Sequence, residues 1–86
     1  MPYYLVELYV PSADAREPQR SAARARAGAQ ELTRDGIDAR YLTSIFVPND
    51  EICFHLIEAP SADVVWQASE RTRLEVARVS EVRLVR

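Results

Sequence analysis

Cys53 and His55, the only cysteine and the only histidine of the chain, are separated by a single residue. Apolar and β-branched residues fill the surrounding segment, 51–58, and predict a β-strand. Because side chains alternate between the two faces of a strand, both would point to one face of a sheet, about 6 to 7 Å apart at Cα. A thiol and an imidazole placed in this way are candidates for metal binding or redox chemistry.

The composition indicates a small chain with balanced charge. With 86 residues, 48% of them hydrophobic, the chain is long enough for one domain, 1–86, and too short for two. Its 11 basic and 13 acidic side chains are interleaved, which argues against a nucleic-acid partner. No stretch has the pattern of a signal peptide or the length of a membrane span, so we expect no membrane partner and a cytoplasmic protein.

The apolar pattern predicts four strands and two helices. The strands are predicted over 3–10, 38–47, 52–58 and 77–85, and the helices over 18–34 and 61–73. Pro18 suits a first helical turn, Gly36 a left-handed helix end, and Ser61 an N-cap. The order βαββαβ predicts an α+β fold of the ferredoxin-like kind, with both helices on one face of a four-stranded antiparallel sheet.

The turn after Val47 fixes the predicted pairing of the second and third strands. Ser44 is expected opposite His55, and Phe46 opposite Cys53. The alternate face of this hairpin is more apolar, so we assign it to the core beneath the helices. It carries Tyr41, Thr43, Ile45, Val47, Ile52, Phe54 and Leu56. Cys53 and His55 are therefore expected on the open face of the sheet.

Glu7 completes a candidate metal site on that predicted open face. The first and third strands are central neighbours in this fold, so the Glu7 carboxylate is expected beside Cys53 and His55. These three ligand types suit a borderline divalent ion such as nickel, zinc or cobalt. The predicted lining of the surrounding cavity is Tyr9, Arg40, Ser44 and Phe46. The rest of the face is apolar and predicts a homodimer in which sheet packs on sheet.

Several runs of the sequence carry a family resemblance: YLVE at 4–7, RYLTS at 40–44 with FVP at 46–48, and CFHL at 53–56 with EAPS at 58–61. They resemble a family of small bacterial proteins, without established catalysis, that is typified by an actinobacterial nickel-binding protein with a dimeric ferredoxin-like fold. The resemblance extends from residue 3 to about 82. It implies a dimeric α+β barrel and Ni(II), or another divalent transition metal, as cofactor.

Each candidate ligand also has a purely structural interpretation. Cys53 would be a small apolar residue in a packed interior. His55 would be a neutral imidazole hydrogen-bonded to Ser44 or Glu7. Glu7 would form an ion pair with Arg40 or Arg83.

Three classes of function therefore stay open at this point. The first is a metal-binding protein that uses Cys53, His55 and Glu7. The alternative is a small dimeric α+β barrel enzyme in which His55 and Glu7 perform acid/base chemistry on an organic substrate. The third is an interaction module whose sheet only dimerises. Nucleotide-binding and nucleophile-elbow motifs do not occur in the sequence.

Overall fold

The strands and helices follow the predicted order. The computed structural model describes residues 1–85. Its elements are β1 (Tyr3–Tyr9), α1 (Glu17–Arg34), β2 (Arg40–Val47), β3 (Ile52–Glu58), α2 (Ala62–Arg71) and β4 (Arg78–Val82). All pairings in the four-stranded sheet are antiparallel, in the order β2-β3-β1-β4, so the ferredoxin-like α+β prediction is confirmed. Neither α1 nor α2 is long and apolar enough to cross a bilayer.

Three residues predicted to mark helix ends do so in the structure. Pro18 occupies the first turn of α1, where its missing N–H costs no hydrogen bond. Gly36 ends this helix with a φ of 85°, a left-handed conformation that glycine adopts without a steric penalty. Ser61 caps α2, because its Oγ accepts a hydrogen bond from the Val64 N–H at 3.4 Å.

The predicted register of the β2–β3 hairpin is confirmed, but the predicted face is wrong. Ser44 lies opposite His55 and Phe46 opposite Cys53, as expected. However, Cys53 is 1% exposed and His55 0% exposed, because their face of the sheet is the one that the helices cover. The predicted core face of Ile52, Phe54 and Leu56 is the open one, since strand residues alternate between the two sides.

β1 explains why the helices cover this face. Val6 pairs with His55 and Leu8 with Cys53, so these four side chains share one side of the sheet. Tyr4, Val6, Leu8 and Val10 form an apolar row without a charge, whereas Glu7 interrupts the other side of β1. Because burying an unpaired carboxylate is costly, the helices pack on the uncharged side of β1. Cys53 and His55 are buried as well, since the pairing of β1 with β3 places them on that same side.

A β-bulge in β2 changes which side chains share a face. Tyr41 pairs with Ile57 and Thr43 with Leu56, so Leu42 is an extra residue with no partner on β3. A bulge of this kind breaks strict alternation and re-aims the neighbouring side chain. Tyr41 consequently points to the helix-covered side, together with Ser44. Strict alternation predicted Tyr41 on the same face as Thr43, and this assignment is corrected.

The two helices approach each other closely along a row of small residues. The buried residues of α1 are Ser21, Ala25, Gly28, Ala29 and Leu32. A Cβ atom at Gly28 would collide with the backbone carbonyl oxygen of Ala68 in α2. Only glycine permits this helix–helix distance without a backbone shift.

Candidate functional site

His55 lies at the centre of a hydrogen-bonded group between α1 and the sheet. Its Nε2 is 2.8 Å from the Oγ of Ser21, and its Nδ1 is 2.6 Å from the Oγ of Ser44. The side chain is completely buried, and this burial lowers the pKa of His55 to about 4. The imidazole is therefore neutral near pH 7, with a hydroxyl partner on each nitrogen. The structural interpretation with Ser44 is confirmed.

Tyr41 extends this group towards the surface. Its Oη lies 2.5 Å from the Oγ of Ser44, which also contacts His55. The Cζ of Arg26, on α1, lies 4.8 Å from the centroid of the Tyr41 ring, a cation–π contact that orients the phenol. Tyr41, Ser44, His55 and Ser21 thus form a continuous row of hydrogen bonds, which we call the hydroxyl chain.

Tyr41, the outer member of the hydroxyl chain, lines a cavity of about 740 Å³ between α1 and β2, which we call the Tyr41 cavity. Its charged and polar lining consists of Arg26, Gln30, Thr33, Arg34, Asp38, Arg40, Tyr41 and Glu58. Arg40 and Glu58 form an ion pair of 2.7 Å. Within residues 1–85, neither Arg26 nor Arg34 has a carboxylate oxygen within 4.0 Å. Because Arg40 and Glu58 neutralise each other, the remaining charges of the lining are the guanidinium groups of Arg26 and Arg34 and the carboxylate of Asp38. The net charge is positive, so the cavity favours an anion.

The structure does not bring the three predicted metal ligands together. Glu7 pairs with Phe54 on β3 and with Arg78 on β4, on the open face, whereas Cys53 and His55 lie on the helix-covered face. Over residues 1–85, no three or more His, Cys, Asp or Glu side chains are grouped so that they could hold a metal ion.

The chemical states of His55 and Cys53 also argue against a metal site. Both nitrogens of His55 are hydrogen-bonded, so a metal would have to displace a serine hydroxyl. Burial raises the pKa of the Cys53 thiol, which disfavours the thiolate form that binds metals. Glu7, Cys53 and His55 therefore do not fit a shared metal site.

The predicted lining residues divide between the two faces of the sheet. Ser44 and Phe46 remain beside Cys53 and His55, as expected, but beneath the helices. Tyr9 is 65% exposed at the end of β1, and its hydroxyl lies 3.5 Å from Glu51. Arg40 lies opposite Glu58 on the open side, and in the part of the chain described here it forms no ion pair with Glu7.

Three residues of the site were not among the predicted ones: Ser21, Arg26 and Tyr41. Ser21 lies four residues before Ala25 on the buried row of α1, so its helical spacing contained a signal. Arg26 carries no such signal, because an exposed arginine on a helix is ordinary. Tyr41 was predicted beneath the helices, where it lies, but on the face opposite to Ser44 and His55, because the sequence pattern gives no sign of the bulge at Leu42.

No family model matches the chain, and no curated protein matches it in sequence. Among solved structures, the chain is similar to the crystal structure of SCO4226 from Streptomyces coelicolor A3(2), with a TM-score of 0.78 and 15% sequence identity. The match covers 98% of this chain and 99% of that chain. A similarity at this identity shows the fold, and it supports the ferredoxin-like arrangement over the whole length of the match.

Proposed function

We propose that this protein binds a small organic anion in the Tyr41 cavity and exchanges a proton with it through the Tyr41 hydroxyl. The observation that carries this proposal is the unbroken hydrogen bonding from the buried His55 through Ser44 to a phenol on the cavity wall. A buried imidazole connected in this way to a cavity is a recurring arrangement for general acid/base chemistry.

The arginines of the cavity determine the class of ligand. Arg26 and Arg34 lie eight residues apart on α1, a rise of about 12 Å along the helix. A ligand between them would meet two guanidinium groups, which bind carboxylates and similar planar anions with paired hydrogen bonds. Asp38 is the one carboxylate left to oppose them after Arg40 and Glu58 pair. These charges favour an anionic organic molecule over a neutral or cationic one.

Tyr41 is the group that touches the ligand in this proposal. Its hydroxyl takes or gives the proton, and Ser44 connects it to His55. Because His55 is neutral and lies behind Ser44, it acts through the hydroxyls and makes no contact with the ligand. This is the enzyme alternative of the sequence analysis with one replacement, since Tyr41 takes the role that Glu7 was expected to have.

The open face of the sheet supports a second proposal, a homodimer. Leu5, Phe54 and Leu56 lie side by side on this face, and the neighbouring Ile45 is 58% exposed. No helix within residues 1–85 covers them. Apolar surface of this kind is stabilised by a second copy of the same face. A dimer through it would also border the Tyr41 cavity, because Arg40 and Glu58 belong to both surfaces.

Metal binding, the function implied by the family resemblance, stays a prediction. Glu7, Cys53 and His55 are not proposed as its ligands, because the sheet separates the first from the other two.

Ligand binding is tested with benzoate and its uncharged analogue benzamide, by NMR titration of tag-free, ¹⁵N-labelled protein. We expect benzoate to shift the signals of residues around the Tyr41 cavity and benzamide to have little effect. Arg26→Gln should weaken benzoate binding. The matched control is Arg16→Gln, since Arg16 is exposed and lies outside the cavity. Equal responses to both compounds, or shifts confined to the open face of the sheet, would contradict an anion site.

Proton exchange is tested with phenylpyruvate, an organic carboxylate with an acidic C–H bond beside a carbonyl group. In D₂O, the protein should accelerate deuterium incorporation at that carbon, followed by proton NMR. Tyr41→Phe should reduce the acceleration by about 10²-fold or more, the usual contribution of a general acid or base, while benzoate still binds. Tyr3→Phe is the matched control, because Tyr3 lies on the other face of the sheet and does not line the Tyr41 cavity. Equal rates in wild type and Tyr41→Phe would refute the role of Tyr41.

A further inference from the structure

The hydroxyl chain has a second end, at a different cavity. Ser21 lines a cavity of about 440 Å³ bounded by the end of β1, the first half of α1 and the segment after α2, which we call the Ser21 cavity. Glu17, Arg20 and Glu75 also line it. The two cavities have no lining residue in common. The buried row of hydrogen bonds therefore connects a residue that lines one cavity with a residue that lines the other.

The heavy-atom positions of this row permit two opposite proton arrangements. In the first, Tyr41 donates to Ser44, Ser44 donates to Nδ1 of His55, and Nε2–H donates to Ser21. In the second, every donor and acceptor is exchanged, and the ring proton lies on Nδ1. Both arrangements satisfy all four side chains at the same distances of 2.5, 2.6 and 2.8 Å, because hydroxyls and a neutral imidazole can each donate and accept.

We propose that His55 conducts protons between the Tyr41 cavity and the Ser21 cavity by exchanging its two neutral tautomers. A ligand in the first cavity gives its proton to the Tyr41 oxygen as Tyr41 passes its own proton to Ser44. Ser44 passes its proton to Nδ1, and Nε2 releases its proton to Ser21. Ser21 releases its original proton to water in the second cavity. The ligand becomes more negative by one charge, the water becomes hydronium, and each hydroxyl gains and loses one proton.

The tautomer exchange avoids a buried charge. A protonated imidazolium would be poorly solvated at this position, and burial accordingly lowers the pKa of His55 to about 4. A concerted shift keeps the ring neutral throughout. The ring returns to its first tautomer when a proton moves in the opposite direction. Ser21 and Ser44 are positioning residues in this scheme, since neither needs to touch the ligand.

The proposal is tested by the tautomer of His55 in tag-free, ¹⁵N-labelled protein without ligand. The chain has one histidine, so long-range proton–nitrogen correlation gives a single set of ring signals. We expect averaged nitrogen shifts in the wild type, because both tautomers are populated. Ser21→Ala should shift the proton to Nδ1, since Nε2 loses its partner, and Ser44→Ala should shift it to Nε2. Ser69→Ala, which removes a buried hydroxyl bonded to the Val65 carbonyl, should keep the averaged shifts.

The result that would overturn the proposal is a ring fixed in one tautomer in the wild type and in both serine variants. Either variant suffices for this test if the other fails to fold. The inference rests on the proposed function in one respect, namely that a ligand in the Tyr41 cavity supplies the proton. If benzoate and phenylpyruvate give no response but the tautomers exchange as expected, the proton path stands and the proposed ligand is wrong.

Discussion

The Oη of Tyr41 lies 2.5 Å from the Oγ of Ser44, although the two residues are three positions apart on an extended strand. In a regular strand, such a pair would point to opposite faces of the sheet. Leu42, which has no partner on β3, supplies the extra residue that returns Tyr41 to the side of Ser44. The connection between the buried His55 and the Tyr41 cavity depends on this one irregularity.

The contact between these two hydroxyls should be measurable as a coupling energy. Tyr41→Phe and Ser44→Ala should each lower the free energy of unfolding, and a double-mutant cycle in urea should give a coupling of about 1 kcal/mol, typical of a hydrogen bond. Tyr9→Phe serves as the control, with almost no change expected at an exposed site. Additive effects of the two variants would mean that the hydroxyls do not interact in solution.

His55 should make the protein less stable in mild acid. Its pKa is lowered from 6.5 to about 4 in the folded state, so the unfolded chain binds a proton first as the pH falls. The contribution is constant above pH 6.5 and is lost between pH 6.5 and about 4, by roughly 3 kcal/mol in total. Urea unfolding of wild type and His55→Gln across this window measures it. The carboxylates titrate in both proteins, so the difference between the two stability curves reports His55 alone. If the stability of wild type and of His55→Gln changed with pH in the same way, the expected burial of a neutral imidazole would be contradicted.

Gly28 should tolerate no larger residue despite its position within a helix. Alanine normally stabilises a helix by about 1 kcal/mol relative to glycine. At Gly28 the added Cβ would meet the Ala68 carbonyl, so Gly28→Ala should instead destabilise the protein by about 1–3 kcal/mol through overpacking. Ala23→Gly, on the exposed side of the same helix, should cost about 1 kcal/mol by propensity alone. A stabilising Gly28→Ala in thermal unfolding would show that the helices are less closely packed.

The open sheet face should control the oligomeric state. Leu56→Arg places a charge in the middle of the proposed dimer interface, opposite the uncharged Leu5 and Thr43, where it would be desolvated without a partner, so the dimer should dissociate. Trp66→Arg is the control, because Trp66 is a 38% exposed aromatic residue on α2, away from this face. Sedimentation velocity gives the molecular mass of each form. A monomeric wild type at all concentrations would exclude the homodimer.

Cys53 should contribute nothing to nickel binding. The thiol is buried and its pKa is raised, so we expect no thiolate-to-nickel absorption band when tag-free protein is titrated with nickel. Wild type and Cys53→Ala should give the same isotherm. An absorption band that disappears in Cys53→Ala would show that the core opens to bind metal, and would restore the cysteine as a ligand.

The fold was predictable from the sequence because local signals agree with one another. Pro18, Gly36 and Ser61 mark helix ends through backbone chemistry, and the turn after Val47 fixes the register of the hairpin. The choice of face was not predictable from β2 and β3 alone, since both of their faces carry apolar residues. The charge of Glu7 on β1 decides it, through a pairing between distant parts of the chain.

The candidate site was predictable only in part. The neighbourhood of Ser44, Phe46, Cys53 and His55 follows from the hairpin register. Ser21 reaches His55 from a helix 34 residues away, a contact that depends on tertiary packing. Tyr41 enters the site through a bulge, which leaves no mark on the alternation of apolar residues.

The extra residue at Leu42 also changes how sequences with this fold should be compared. In a chain with a regular second strand, the residue equivalent to Tyr41 would stand two positions before the serine, whereas here it stands three positions before it. An alignment without a gap would therefore match Tyr41 to a residue on the opposite face. The spacing between tyrosine and serine, counted together with strand length, is a better guide to a shared site than identity at a fixed column.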